Sequence, residues 1–280
     1  QVININGTFT NINLEGILIT ASLGAGATLP NINIAGGASV TIKNSFFKCS
    51  GLNGSAGGGI LVNASTAVIL NTVFYQNESS SSGAYGGALQ VIGASANVTV
   101  TNCTFNGCIS QRGGAIGQKA GTLSVSGSCF SNNFSEENTS GGGGGAIYVE
   151  GSSNTTISNC SFDTNAASGN SGGSEGVITM VSGSSADGGA LCFRTVTGTA
   201  SITNSSFLNN AKIQNVASGG VKGSIVINDF DDGQDIYYSG ASLNITINNN
   251  SFSSANPGEV NIFEDGSGNQ TMSNNGIYTH

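Results

Sequence analysis

Four carboxylates crowd one short stretch, Asp229-Phe-Asp231-Asp232-Gly-Gln-Asp235, the densest acidic grouping in the chain. Oxygen ligands around a glycine turn suit Ca²⁺, which makes Asp229, Asp231, Asp232 and Asp235 the candidate cation site. Gly233 nevertheless comes one place early for a D-x-[DN]-x-[DN]-G loop. A solvated acidic turn accounts for the same residues, so no metal and no cofactor is assigned. Inverting hydrolysis of a glycosidic bond needs two carboxylates facing one sugar, yet Glu15, Glu78, Glu150, Asp163, Glu175, Asp187 and Glu259 stand singly. The one histidine is His280, the last residue, so no Ser-His or Cys-His nucleophile can be assembled in the interior. Gly141–Gly145 lacks the Lys-Ser/Thr of a phosphate loop. No catalytic residue is assigned, and the chain is not read as an enzyme.

Two further groupings have binding chemistry. Arg112 and Lys119 flank a glycine pair and suit an acidic sugar, although isolated surface cations explain them equally. Tyr85, Tyr148, Tyr237 and Tyr238 suit stacking on sugars if they share an exposed face. Tyr237 and Tyr238 are adjacent, so on a strand they point to opposite faces.

The six cysteines are Cys49, Cys103, Cys108, Cys129, Cys160 and Cys192, with no C-x-x-C pair, which argues against zinc. In a lysine-poor chain rich in Ser and Asn they read as extracellular disulfides. Cys103 with Cys129 is the first candidate pair, because each lies just before a repeated Phe, and Cys160 with Cys192 is the second. Fourteen N-x-[ST] sequons are present. Asn6, Asn53, Asn63, Asn77, Asn97, Asn133, Asn138, Asn154, Asn244 and Asn269 are the expected glycan acceptors. The chain opens at Gln1, which fits a mature secreted protein freed of its signal, or a fragment.

Composition narrows the partners. Fifteen acidic against seven basic residues give a net charge of −8. Seven scattered cations cannot form the footprint of a nucleic-acid binder or hold an anionic membrane. Apolar runs of only a few residues exclude a membrane-spanning helix, so no direct membrane insertion is expected. Gly is abundant, at 44 of 280 residues, but lacks a three-residue period, and Pro numbers only 2, so a collagen is excluded.

The elements that hold these residues show themselves as a repeat. An apolar residue, any residue, Asn or Gly, two residues, then Phe recurs as Ile42-x-Asn44-x-x-Phe47, Ile69-x-Asn71-x-x-Phe74 and Val100-x-Asn102-x-x-Phe105. It continues through Val125-x-Gly127-x-x-Phe130, Ile157-x-Asn159-x-x-Phe162, Ile202-x-Asn204-x-x-Phe207 and Ile247-x-Asn249-x-x-Phe252. A glycine pair followed by a small and an aliphatic residue alternates with it, as in Gly86-Gly87-Ala88-Leu89, Gly113-Gly114-Ala115-Ile116 and Gly144-Gly145-Ala146-Ile147. From that aliphatic residue to the next Phe takes 14, 16, 14, 15 and 16 residues, whereas 25 residues separate Phe162 from Gly188. One half of each repeat is scaffold and the other is loop.

Within the scaffold half, apolar and polar residues alternate at period two, as in Val98-Thr99-Val100 and Leu243-Asn244-Ile245-Thr246-Ile247. Such short strands cannot bury a face singly, but stacked coil on coil they can. The expected fold is all-β, a right-handed parallel β-helix, with winding taken from the crossover rule. A single domain spans 1–280: N-terminal coils over 1–40, motif-bearing repeats over 41–255 and a C-terminal coil over 256–280. The Asn/Gly slot breaks the alternation and calls for a left-handed residue. Asn44, Asn71, Asn102, Asn159, Asn204 and Asn249 are expected to stack as an internal amide ladder, those within sequons carrying no sugar. Phe47, Phe74, Phe105, Phe130, Phe162, Phe207 and Phe252 are expected to stack as a buried column.

These motifs resemble the repeats of the chlamydial polymorphic outer-membrane proteins, and of some protist surface proteins. The Phe-x-x-Asn element stands at Phe74–Asn77, Phe130–Asn133, Phe162–Asn165 and Phe207–Asn210; Cys108, Ser50 and Ala255 replace the Asn after Phe105, Phe47 and Phe252. The resemblance covers roughly residues 40–255 and implies a surface-displayed β-helix with adhesive or structural duty. No outer-membrane barrel of the bacterial kind is present in this sequence, and the sequons favour a eukaryotic source. The expected function is an extracellular, cell-surface or secreted structural glycoprotein that self-associates end to end into a fibre or surface layer. The alternative is an adhesin-type module whose loops at 75–85, 131–143 and 163–187 contact a host receptor or glycan; a polysaccharide-active enzyme ranks third.

Overall fold

The computed structural model describes residues 3–22, 30–50, 58–79, 83–137, 143–169, 188–213, 235–239, 242–254, 262–265 and 269–279. Every element there is a strand, and every pairing is parallel and joins equivalent segments of successive coils. Three nine-stranded sheets and one five-stranded sheet form the walls of a right-handed parallel β-helix.

The first sheet starts at Ile3–Asn6 and includes Leu89–Ile92, Ile116–Gln118, Ile147–Glu150 and Leu191–Arg194. The second runs from Ile12–Glu15 to Asn269–Ser273, the third from Leu18–Ser22 to Gly276–Thr279. The fourth comprises Glu78–Ser79, Ile109–Ser110, Phe134–Glu137, Ala166–Gly169 and Ala211–Ile213.

The corner between the second and third sheets explains the Asn/Gly slot. Two residues always separate the strands there, the first left-handed and the second turned inward. Asn44, Asn71, Asn102, Asn159, Asn204 and Asn249 have φ between 46° and 57°, and Gly127 has 56°. One left-handed residue swings the chain through the corner, so the residue after it faces the core. The seven Phe of the template are fully or almost fully buried. Neighbouring rings lie 4.7 to 5.2 Å apart, with planes inclined by 0 to 13°. Equivalent rings of successive coils therefore form one continuous column.

The glycine pair has two separate causes. Gly113 has φ 67°, which favours glycine. A Cβ on Gly114 would stand 2.3 Å from the Gly145 carbonyl oxygen and 2.6 Å from the Phe134 nitrogen. The first glycine makes the turn, and the second lets two walls touch.

The buried amide ladder is not the expected one. Asn44, Asn71, Asn102, Asn159, Asn204 and Asn249 face solvent, and along that column Asn71 Nδ2 donates to Asn44 Oδ1 at 3.4 Å. The left-handed backbone that makes the corner aims these side chains outward. The interior ladder is built by the Asn of Phe-x-x-Asn. Asn133 Nδ2 donates to Asn165 Oδ1 at 2.8 Å, Asn165 Nδ2 to Asn210 Oδ1 at 2.9 Å, and Asn210 Nδ2 to Asp235 Oδ1 at 2.9 Å. Each also donates to the carbonyl of a Phe one coil back, namely Phe105, Phe130 and Phe162.

Candidate functional site: a tyrosine–cation cluster and a corner groove

On the outer side of the first sheet, residues from three successive coils converge on Glu150. Its Oε1 accepts the Tyr85 hydroxyl at 2.9 Å and its Oε2 accepts that of Tyr148 at 3.2 Å. Lys119 Nζ lies 3.9 Å from Oε1 and Arg112 Nη1 4.0 Å from Oε2. Arg112 also donates to the Tyr85 hydroxyl, and Arg194 stands beside Glu150 in strand register. Lys119 Nζ sits 4.4 Å from the Tyr85 ring centre, and the Arg112 guanidinium is 5.2 Å from that ring and 5.9 Å from the ring of Tyr148. Gly117 makes this possible, since a Cβ there would stand 2.6 Å from the Cβ of Tyr85.

The cluster thus unites Arg112, Lys119, Tyr85 and Tyr148, which the sequence left as separate candidates. It does so differently from a sugar platform. Tyr85 and Tyr148 are buried against each other and Cys192, with ring centres 5.9 Å apart. Burial, with Glu150 adding to it, raises the Tyr85 phenol to about 12, and burial raises Tyr148 further. Both rings are neutral supports, and the cations around Glu150 are what solvent meets. The sequence offered Glu150 only as a single acid and Cys192 only as a disulfide candidate, and nothing there marked either as a partner of these tyrosines.

A second feature follows the corner between the second and third sheets. A groove of about 670 Å³ runs along the axis, lined by the outward Asn159, Asn204 and Asn249 and by the hydroxyls of Ser161, Ser206 and Ser251. Its walls are neutral; three coils each contribute an amide and a hydroxyl, and a fourth contributes Gly127 and Cys129.

The other sequence candidates fall as follows. Asn6, Asn63, Asn97, Asn154, Asn244 and Asn269 are exposed, open to a sugar. Asn77 and Asn133 are not; both are buried, and their amide nitrogens donate to the carbonyls of Phe47 and Phe105 at 3.0 and 3.1 Å. Asn53 and Asn138 lie outside the described residues, as do Asp229, Asp231 and Asp232. Asp235 is buried beneath Asn210 rather than in a solvated turn. Among the described residues no group of three or more His, Cys, Asp or Glu is arranged to hold a metal.

The disulfide expectations are corrected. Cys103, Cys129 and Cys160 are free thiols. Cys103 points into the core at the inward corner position, whereas Cys129 is exposed and pairs in register with Thr104. Adjacent positions on a strand face opposite sides of the wall, which keeps these sulfurs apart. Cys160 occupies the same inward position one coil beyond Ser128, and Cys192 lies outside the first sheet against Tyr148. Burial raises the Cys103 and Cys160 thiols to about 11.

Residues 30–190 match a family model described as right handed beta helix region. No curated protein and no solved structure matches the chain.

Proposed function

The chain belongs to the right handed beta helix region family, and from that premise we propose that it is a non-catalytic extracellular structural protein whose coils add end to end in a fibre or surface layer. The observation that carries this reading is the parallel stack itself, in which each coil offers the next the same strand edges through three nine-stranded sheets. Among the described residues, Ile3–Asn6, Ile12–Glu15 and Leu18–Ser22 are paired on one side only, and so are Ile262–Asp265, Asn269–Ser273 and Gly276–Thr279. Open strand edges recruit further strands. Met272, in register with the buried Ile247, is 42% exposed at one edge, so further strands stacked there, from a second copy or from more of the same polypeptide, would cover apolar surface as well as satisfy backbone groups. Surface display is supported by the resemblance of the alternating glycine and Phe-x-x-Asn motifs to repeats of surface proteins. The exposed sequons at Asn6, Asn63 and Asn269 suit a secreted glycoprotein.

The groove at the corner favours a second reading, an adhesin-type module that takes a receptor or glycan along its length. Electron microscopy and sedimentation of the 280-residue chain over a concentration series separate the two. Filaments one solenoid wide, lengthening with concentration, are expected. A monomer at every concentration, with glycan binding lost in Ser206→Tyr, would replace the first reading by the second.

A further inference from the structure

We propose that the outer face of the second sheet is an ice-binding surface. Every outward position on its five strands from Asn97–Thr101 to Asn244–Asn248 is Thr, Ser or Asn. The central column reads Thr99, Ser124, Thr156, Ser201, Thr246 in unbroken register. The array carries no charge and no ring. Its central hydroxyls form no hydrogen bond within the protein, whereas at its margins Thr101 meets Ser126 at 3.2 Å and Thr199 donates to Asn154 at 2.9 Å.

Two properties make this face a lattice rather than an ordinary polar surface. Its strands hold one register: the five pair residue for residue without a slip, so equivalent hydroxyls fall in one column. It is also periodic in two directions. Between Phe74 and Phe252 the coil repeat is 4.7 to 5.0 Å, and alternate residues along a strand recur at about 6.7 Å. The coil repeat falls close to the shorter oxygen repeat of the prism plane of hexagonal ice, and the along-strand repeat lies below the longer one. Neutral hydroxyls at that spacing order the first water layer in a crystal-like pattern, through the same bridging bonds that ordered waters make elsewhere.

Other occupants fit less well. Protein hot spots draw on Trp, Tyr and Arg, and crystalline polysaccharides are gripped by stacked rings; the array offers neither. An anionic lipid surface would need cations. The rigidity of the stack also matters, since a surface that must match a crystal cannot afford to rearrange on contact.

The test uses the unglycosylated chain, since sugars on Asn97, Asn154 or Asn244 would overhang the face. Thermal hysteresis, crystal shaping and partition into a growing ice hemisphere are measured for the wild type, for Thr156→Lys at the centre of the array, and for Leu208→Lys on the third sheet, an exposed position outside the array and the groove. The wild type is expected to show all three effects. Thr156→Lys should cut hysteresis at least fivefold with its circular dichroism melt unchanged, and Leu208→Lys should retain activity. Absence of hysteresis, shaping and partition in the folded wild type overturns the proposal and leaves a plain solvated sheet. Equal activity in Thr156→Lys, or equal loss in Leu208→Lys, overturns the placement on this face.

Discussion

Cys103 and Cys160 fill the inward corner position that Ser45, Thr72, Ser128 and Ser205 fill in other coils. Each thiol donates to the carbonyl two residues before it, Thr101 at 3.3 Å and Ser158 at 3.3 Å, as Ser128 and Ser205 do to Ser126 and Thr203. The two thiols are held neutral to about pH 11 instead of their ordinary 9. A folded-state pKa raised this way adds stability that is complete below pH 9 and lost as pH rises through 11. The chain should therefore lose about 2–3 kcal/mol per thiol across that window, with Tyr85 adding to the loss between pH 10 and 12. Urea denaturation at pH 8, 10 and 11 measures it. Cys103→Ser/Cys160→Ser should fold and show a shallower decline.

The cysteines also show what the sequence hid. Spacing from Phe placed Cys103 and Cys129 near each other, correctly in height along the axis. Cys103 follows the left-handed slot directly and Cys129 comes one place later, but the spacing did not say which of those two places faces inward, and that single step is the difference between core and solvent. The same ambiguity misplaced the amide ladder. Asn102 was legible as the bend, but a left-handed residue adds a half-turn that reverses which neighbour faces inward. The Asn of Phe-x-x-Asn was visible as part of the repeat, without any pattern that announced its burial.

Among elements, the phenyl column is where the repeat is most strongly held. Phe105 is fully buried between Phe74 and Phe130, 4.7 Å from each. Its removal leaves a void with two ring faces uncovered, and Phe105→Ala should cost about 3–5 kcal/mol in urea denaturation. A loss under about 1 kcal/mol would mean that the column does not support the coil. These rings, the alternation in strands such as Val98-Thr99-Val100 and the glycine pair were all readable beforehand, because each reports a local periodicity. The Glu150 cluster was not. It joins Tyr85, Arg112, Lys119 and Tyr148 across coils, and its key enabler is Gly117, a residue whose only signal is the absence of a side chain.

For the molecule as a whole, each coil touches only its neighbours, so stability is close to a sum of coil and interface contributions. That predicts tolerance to loss of one complete coil. Deleting Cys160–Asn204 joins Asn159 to Ser205, brings Phe130 against Phe207 and sets Asn133 over Asn210 with every column preserved. This variant should keep its β-sheet circular dichroism and a cooperative unfolding transition. Deleting Cys160–Thr203 instead, one residue less, places two left-handed positions in tandem and turns every later side chain to the wrong face of the wall. It should fail to fold cooperatively.

The corners also differ in what they tolerate. Between the second and third sheets the connection is always two residues long, yet from the fourth sheet to the first it stretches from Ser110–Ile116 to Ile213–Ile236 without disturbing the ring column, which holds at 4.9 Å from Phe162 to Phe207 and 5.0 Å from Phe207 to Phe252. Length changes are thus funnelled to one edge of the rod, and a foreign peptide spliced between Gly169 and Gly188 would ride there as cargo, its height set by the coil that carries it.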